Sequence, residues 1–240
     1  MRERRVGITP RLATALEMLK GSCIVADVGC DHGKLAAALL QRGVCERVIA
    51  SDISEPSLEK AKYLMHRIGL EERVDFRVGD GLHVLAHSEC DAIAMLGMGG
   101  TLMREIMNAC ETPLMGAKSV VLQPMRAQRD IREYLYRNCF HITDDRIVYE
   151  HGRYYEILRA VPGTKKQDWP DTFPKEFFDV GYYAFTRREP NLSALCRQQL
   201  LQHRKRLKTA EGTDGEEKLT ARICALQKIL TQLDGEDYDN

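Results

Sequence analysis

An apolar run, Ile24-Val25-Ala26-Asp27-Val28, breaks off at Gly29-Cys30-Asp31-His32-Gly33 and is followed at once by Leu35-Ala36-Ala37-Ala38-Leu39-Leu40. A β-branched run that short, carrying one acid, fits a parallel strand covered on both faces. The second run consists of strong helix formers and closes near Gly43. A strand that hands over to a helix through a glycine turn predicts an open α/β sheet, in which ligands sit at the carboxyl edge of the strands. Gly29 and Gly33 lack the Cβ that would hold a ligand away from backbone. Their spacing departs from the Gly-x-Gly-x-x-Gly of dinucleotide sites, and Asp27 and Asp31 would repel a pyrophosphate. The turn suits a cation, or a ligand bearing an ammonium group and hydroxyls.

Later strand ends extend this site. Arg47 to Ile53 ends in Asp52, at the distance along the chain where a carboxylate takes ribose hydroxyls. A third strand, Val74 to Val78, runs into Gly79-Asp80-Gly81-Leu82. Asp80 could accept from an adenine amine, with Ile53 and Leu82 as apolar slabs on the ring faces. The fourth, Ala92 to Leu96, opens into Gly97-Met98-Gly99-Gly100, a mouth for a second substrate, and the fifth leads to Gln123-Pro124-Met125. S-adenosylmethionine satisfies this set of acids. Each feature has a plainer reading alone: Asp31 as a helix cap, His32 as a structural hydrogen-bonding residue, the glycines as a loop. Acids and glycines in this order on successive strands favour cofactor binding.

Strand and helix patterns alternate to about residue 162. The last two strands, His141 to Glu150 and Tyr154 to Val161, flank His151-Gly152-Arg153 as an antiparallel hairpin. A doubly wound sheet closed this way is the layout of class I methyltransferases. The fold expected is therefore a Rossmann-like α/β domain over 1–162, followed by a linker and an α-helical hairpin over 163–240. Leu219, Ile223, Leu226, Leu230 and Leu233 form one apolar seam of that hairpin, facing Leu192, Leu195, Leu200 and Leu207.

Formal net charge is zero, so no global field recruits nucleic acid, yet residues 187–208 carry seven basic side chains against the single acid Glu189. Eight cysteines occur without any Cys-x-x-Cys spacing, which predicts free thiols, no metal centre and a cytoplasmic setting. Cys30, inside the turn, is a packing residue and a cofactor-contact candidate.

The motifs Asp27-Val28-Gly29-Cys30-Asp31-His32-Gly33, Gly79-Asp80-Gly81-Leu82, Gly97-Met98-Gly99-Gly100 and Leu122-Gln123-Pro124 together resemble the bacterial tRNA (adenine-N1)-methyltransferases that modify adenine 22 in the D-arm. The likeness runs from Arg11-Leu12 to Tyr155-Glu156 and more loosely beyond, with Lys34, Ala37 and Met125 as departures. It implies S-adenosylmethionine as cofactor, held by Asp27, Gly29, Cys30, Asp31, His32, Gly33, Asp52, Ile53, Asp80, Gly81, Leu82 and Gly97. It implies tRNA as substrate, with Asp31, Gly97, Met98, Gly99, Gly100 and Gln123 at the reacting base. Candidate phosphate contacts are Arg2, Arg4, Arg5 and Arg11, then Arg126, Arg129 and Arg132 beside the mouth, and Arg197, Arg204, Lys205 and Arg206 on the basic helix. A binding module that holds the cofactor without transfer, and an NAD-dependent oxidoreductase, are the competing readings.

Overall fold

A computed structural model describes residues 5–168, 178–210 and 214–235. Strands β1 (Ile24–Val28), β2 (Arg47–Asp52), β3 (Val74–Val78), β4 (Ala92–Leu96), β5 (Ser119–Gln123), β6 (Phe140–Glu150) and β7 (Arg153–Pro162) form one sheet in the order β3-β2-β1-β4-β5-β7-β6. The first five are parallel, and β7 runs antiparallel to both β5 and β6. The chain reverses at His151 and Gly152, both at positive φ, as a two-residue hairpin turn requires. The expected sheet with its closing hairpin is therefore present.

Alternation along the strands sends successive side chains to opposite faces. Val25, Ala94 and Val121 join Leu16 of α1 (Pro10–Met18), Leu39 of α2 (Lys34–Gln41) and Leu58 of α3 (Glu55–Arg67) in one core. Ala26, Met95 and Val120 join Met103 of α4 (Gly100–Ala109), Leu114 of α5 (Thr112–Gly116) and Ile131 of α6 (Gln128–Arg137) in the other. Helices on both faces leave only the strand ends open, and every parallel strand presents its carboxyl end on one edge.

After α7 (Tyr182–Thr186), helices α8 (Leu192–Leu207) and α9 (Asp214–Asp234) lie antiparallel, with Arg197 near the start of α8 bonded to Asp234 at the end of α9. Leu192, Leu195, Leu200, Ile223 and Leu226 are buried between them, together with Ala225 and Ile229, which the leucine seam had not included. Leu219 is only half-buried. Ile147 of β6 belongs to the same core, so the helical pair is docked on the terminal hairpin. Beneath that dock, the guanidinium of Arg132 is buried against Asp145 at 3.1 Å and Glu156 at 2.7 Å, and donates to the carbonyl of Phe178. Burial pushes the Asp145 carboxyl up to about 6 despite Arg132 beside it, and Glu156 moves in the same direction for the same reason.

Candidate active site

The turn after β1 is fixed by backbone geometry. The amides of Gly29 and Cys30 both donate to the carbonyl of Ser51 on β2, at 2.8 and 2.9 Å. Gly29, Asp31 and Gly33 have φ of 73°, 48° and 68°, a left-handed path that favours glycine. A Cβ on Gly33 would stand 2.8 Å from Cβ of Ala61, so this glycine lets α2 start against α3. One on Gly29 would stand 2.3 Å from Cε of Met98, so the first turn and the Gly97–Gly100 loop touch.

Asp27 is the buried acid of the site, 3% exposed, with Oδ2 unpartnered. Burial pushes its carboxyl up to about 7; the amide of Ala36 in α2 opposes the shift and the charge of Asp52 adds to it. Such a group stabilises a cation placed beside it. Asp52 stands at the end of β2, where Oδ2 accepts from the amide of Asp31 at 3.0 Å and Oδ1 from that of Ser54 at 2.8 Å. It thus shapes the turn while keeping lone pairs for a hydroxyl. Ile53 is exposed beside it, and Asp80 is exposed at the end of β3. Val78 at the end of β3, and Leu102 and Met125 after β4 and β5, are exposed large hydrophobic residues.

Several expected roles do not fit. Leu82 is fully buried in the core, so its side chain is no accessible slab. Gln123 is also fully buried; its Oε1 accepts from Arg11 at 3.1 Å and its Nε2 faces the sulfur of Met125. It positions the loop rather than reading a base edge. Arg11 is held within the protein and only partly exposed. Its amide donates to Glu150, its guanidinium reaches Gln123 and Met125, and it lies 4.7 Å over the ring of Tyr155. Glu150 and Tyr155 belong to this support, and no local motif marks them, because they come from the far hairpin. Arg132 is withdrawn by burial in the carboxylate triad; Arg129 pairs with Asp179 at 2.8 Å and Arg197 meets Asp234 while staying exposed, so these two keep their place among the candidate contacts.

Asp31 does not cap α2, whose cap is Gly33 with no side-chain bond. Its carboxylate is exposed and meets Nδ1 of the neighbouring His32 at 2.8 Å. The Cys30 thiol is buried and pushed far above its usual range, by burial first and then by Asp27 and Asp52, which makes it a packing group. The glycine mouth is not an unsupported loop: Gly97 donates to Gln123, Met125 to Met98 and Gly100 to Arg126. Space around Gly97 is open, but a Cβ on Gly100 would press on the carbonyls of Arg126 and Ala127. Gly100 therefore serves close packing, and Gly97 is the open point. Arg5, Arg126, Arg204, Lys205 and Arg206 are exposed; Arg2 and Arg4 lie outside the described residues. No cluster of metal-ligating side chains occurs among the described residues, and no described helix is long and apolar enough to cross a membrane.

This geometry coincides with a match of residues 8–158 to the family model described as methyltransferase domain. The chain belongs to the methyltransferase domain family. The tRNA (adenine(22)-N(1))-methyltransferase of Bacillus subtilis is 34% identical to it over 158 residues, 66% of each chain. The chain thus spans just under two thirds of that curated relative's length in the alignment. A crystal structure of the B. subtilis m1A22 tRNA methyltransferase superposes with a TM-score of 0.81 at 26% identity, covering 94% of this methyltransferase chain and 99% of that one. The Streptococcus pneumoniae structure described as a putative tRNA (m1A22) methyltransferase in complex with S-adenosyl-L-methionine gives 0.79 at 25% identity, covering 93% and 100%.

Proposed function

We propose that this methyltransferase moves a methyl group from S-adenosylmethionine to N1 of adenine in tRNA, at position 22. The observation that carries the cofactor assignment is the buried, unpartnered oxygen of Asp27 beneath a turn whose glycines admit no Cβ. Asp27 would hold the ammonium of the methionine moiety, Asp52 the ribose, and Asp80 with Ile53 the adenine. Backbone at Gly29, Asp31 and Gly81 would line the same cradle. When bound, the sulfonium supplies an electrophilic methyl carbon.

The residues then have an alignment task. Adenine N1 already carries a lone pair, so no strong base is required and the rate comes from proximity and orientation. N1 lies on the Watson-Crick edge, so the base must be unpaired or turned out before attack. Gly97 gives it room, and Met98, packed against Gly29, sets the floor. Asp31 stands at the lip, where its charge favours the cationic product. Arg5, Arg126, Arg204, Lys205 and Arg206 contact phosphate. The boundary near 162 then separates a cofactor-binding part from a part that grips RNA.

The test is incubation with methyl-tritiated cofactor and total bacterial tRNA, followed by mapping of the labelled nucleotide. Label at N1 of adenine 22 is the expected result. Binding of S-adenosylhomocysteine without transfer would instead favour the binding module, and binding of NAD alone would favour the oxidoreductase.

A further inference from the structure

A polar cavity of about 430 Å³ lies between the sheet domain and the helical pair. One wall is the loop after β5, including Met125 and Arg126; the other is formed by α8 and α9, including His203, Arg206 and Arg222. Its Met125 wall is joined to the Gly97–Gly100 loop, because the amide of Met125 is bonded to the carbonyl of Met98.

Its lining holds buried polar atoms without partners, among them Oε1 of Gln199 as well as donors. His203 is 4% exposed, and neither ring nitrogen has a partner; Nε of Arg222 is likewise buried and unpartnered. Buried polar groups normally find partners, so this cluster is built to receive one. Four arginines (Arg126, Arg129, Arg206 and Arg222) stand in the lining against three acids, of which Asp130 is exposed. Asp179 is already shared between Arg129 and Arg222, and Glu156 is bound to Arg132. Arg126 and Arg206 line the cavity from opposite sides and form no ion pair among the described residues. A small anion with several acceptor oxygens fits this donor set.

We infer that the cavity between the two domains receives one phosphodiester of the RNA substrate, gripped jointly by Arg126, His203 and Arg206. This rests on the proposed tRNA reading and deepens it. The phosphate would tie the helical pair to the catalytic edge, so that RNA held by one domain is registered against the other. Burial, with Arg222 beside it, holds the His203 pKa below its ordinary value, leaving a neutral ring with one donor and one acceptor.

The experiment is a double-mutant cycle on tRNA affinity, with Arg126→Gln, Arg206→Gln and the pair, each measured over a range of salt. Two arginines on one phosphate are coupled. Each single variant is expected to weaken binding about tenfold and lower the salt slope by about one. The double variant should fall well short of hundredfold, and inorganic phosphate should compete with tRNA on the wild-type chain but not on the double variant. Factors that multiply, single variants without effect, or phosphate binding that leaves tRNA affinity unchanged would each overturn the inference. His203→Gln should retain more tRNA affinity than His203→Leu at equal melting temperature; equal losses would count against it. Wild-type chain that fails to bind tRNA at all would refute the functional reading itself, whereas wild-type binding with multiplying factors refutes only the cavity.

Discussion

Two glycine loops face each other across the carboxyl edge of the sheet, and they treat their polar groups in opposite ways. In the Gly29–Gly33 turn, backbone is spent on Ser51 and Asp52, while the carboxylate of Asp27 keeps one oxygen unpartnered. In the Gly97–Gly100 loop, Gly97, Met98 and Gly100 are bonded to Gln123, Met125 and Arg126. One loop keeps bonding capacity for a ligand; the other consumes its own to hold a shape. Glycine content alone does not distinguish a binding turn from a braced one. The number of partners left over does.

The sharpest way to break the contrast is Asp27→Asn, which removes the reserved charge. Losing one partner of a buried ion pair costs about 3 kcal/mol, so S-adenosylhomocysteine affinity measured by calorimetry should fall roughly a hundredfold. The ligand-free chain should respond in the opposite direction. Asp27 has its carboxyl raised from 3.8 to about 7, so its contribution to stability is full below about pH 4 and is lost as pH rises through 7. Denaturant titration should show the variant gaining on the wild type over that window and holding the gain above it. Cofactor affinity of the wild type should weaken as pH drops below about 7, and that dependence should flatten in the variant.

In the braced loop the largest stability effect belongs to Gly100→Ala. The new Cβ would stand 2.7 and 2.8 Å from two backbone carbonyl oxygens, which cannot rotate away as a side chain could. Overpacking of this kind costs about 3 kcal/mol, visible as a lowered melting temperature. Next comes Arg11→Ala, which removes the guanidinium that spans Gln123, Glu150 and Tyr155. A positioning role predicts a drop in kcat of about tenfold with unchanged cofactor affinity. Equal losses in both would place Arg11 in the cofactor site instead.

The first turn was legible in the sequence because its determinants are local: a strand, an acid, glycines and a helix in one stretch of chain. The order of later strands and the closing hairpin were legible for the same reason. What was not legible depends on long-range packing. Arg11 near the start of the chain and Arg132 beside the mouth look alike in sequence, as basic residues available to RNA. One is drawn inward by Glu150, Gln123 and Tyr155, the other by Asp145 and Glu156. Leu82 reads as a site residue from its neighbours in the chain and becomes core because the turn through Gly81 points it inward. His203 reads as part of a basic helix and is buried, in a cavity lining it shares with Arg222 of α9.

The smallest expected effect separates the two loops most directly. Gly97→Ala adds a Cβ where nothing lies within 4 Å, so the only penalty is a φ of 82° in a residue that is no longer glycine. That strain amounts to about 1 kcal/mol, well under the cost at Gly100, although the two positions are close in the same loop. If Gly97 is the open point through which a base reaches the methyl carbon, its alanine variant should melt near the wild type yet raise KM for tRNA. Cofactor affinity should stay the same, because the added methyl group intrudes on space for the base. A variant with unchanged KM would mean that the open space serves nothing, and Gly97 would then be a glycine required by backbone angle alone.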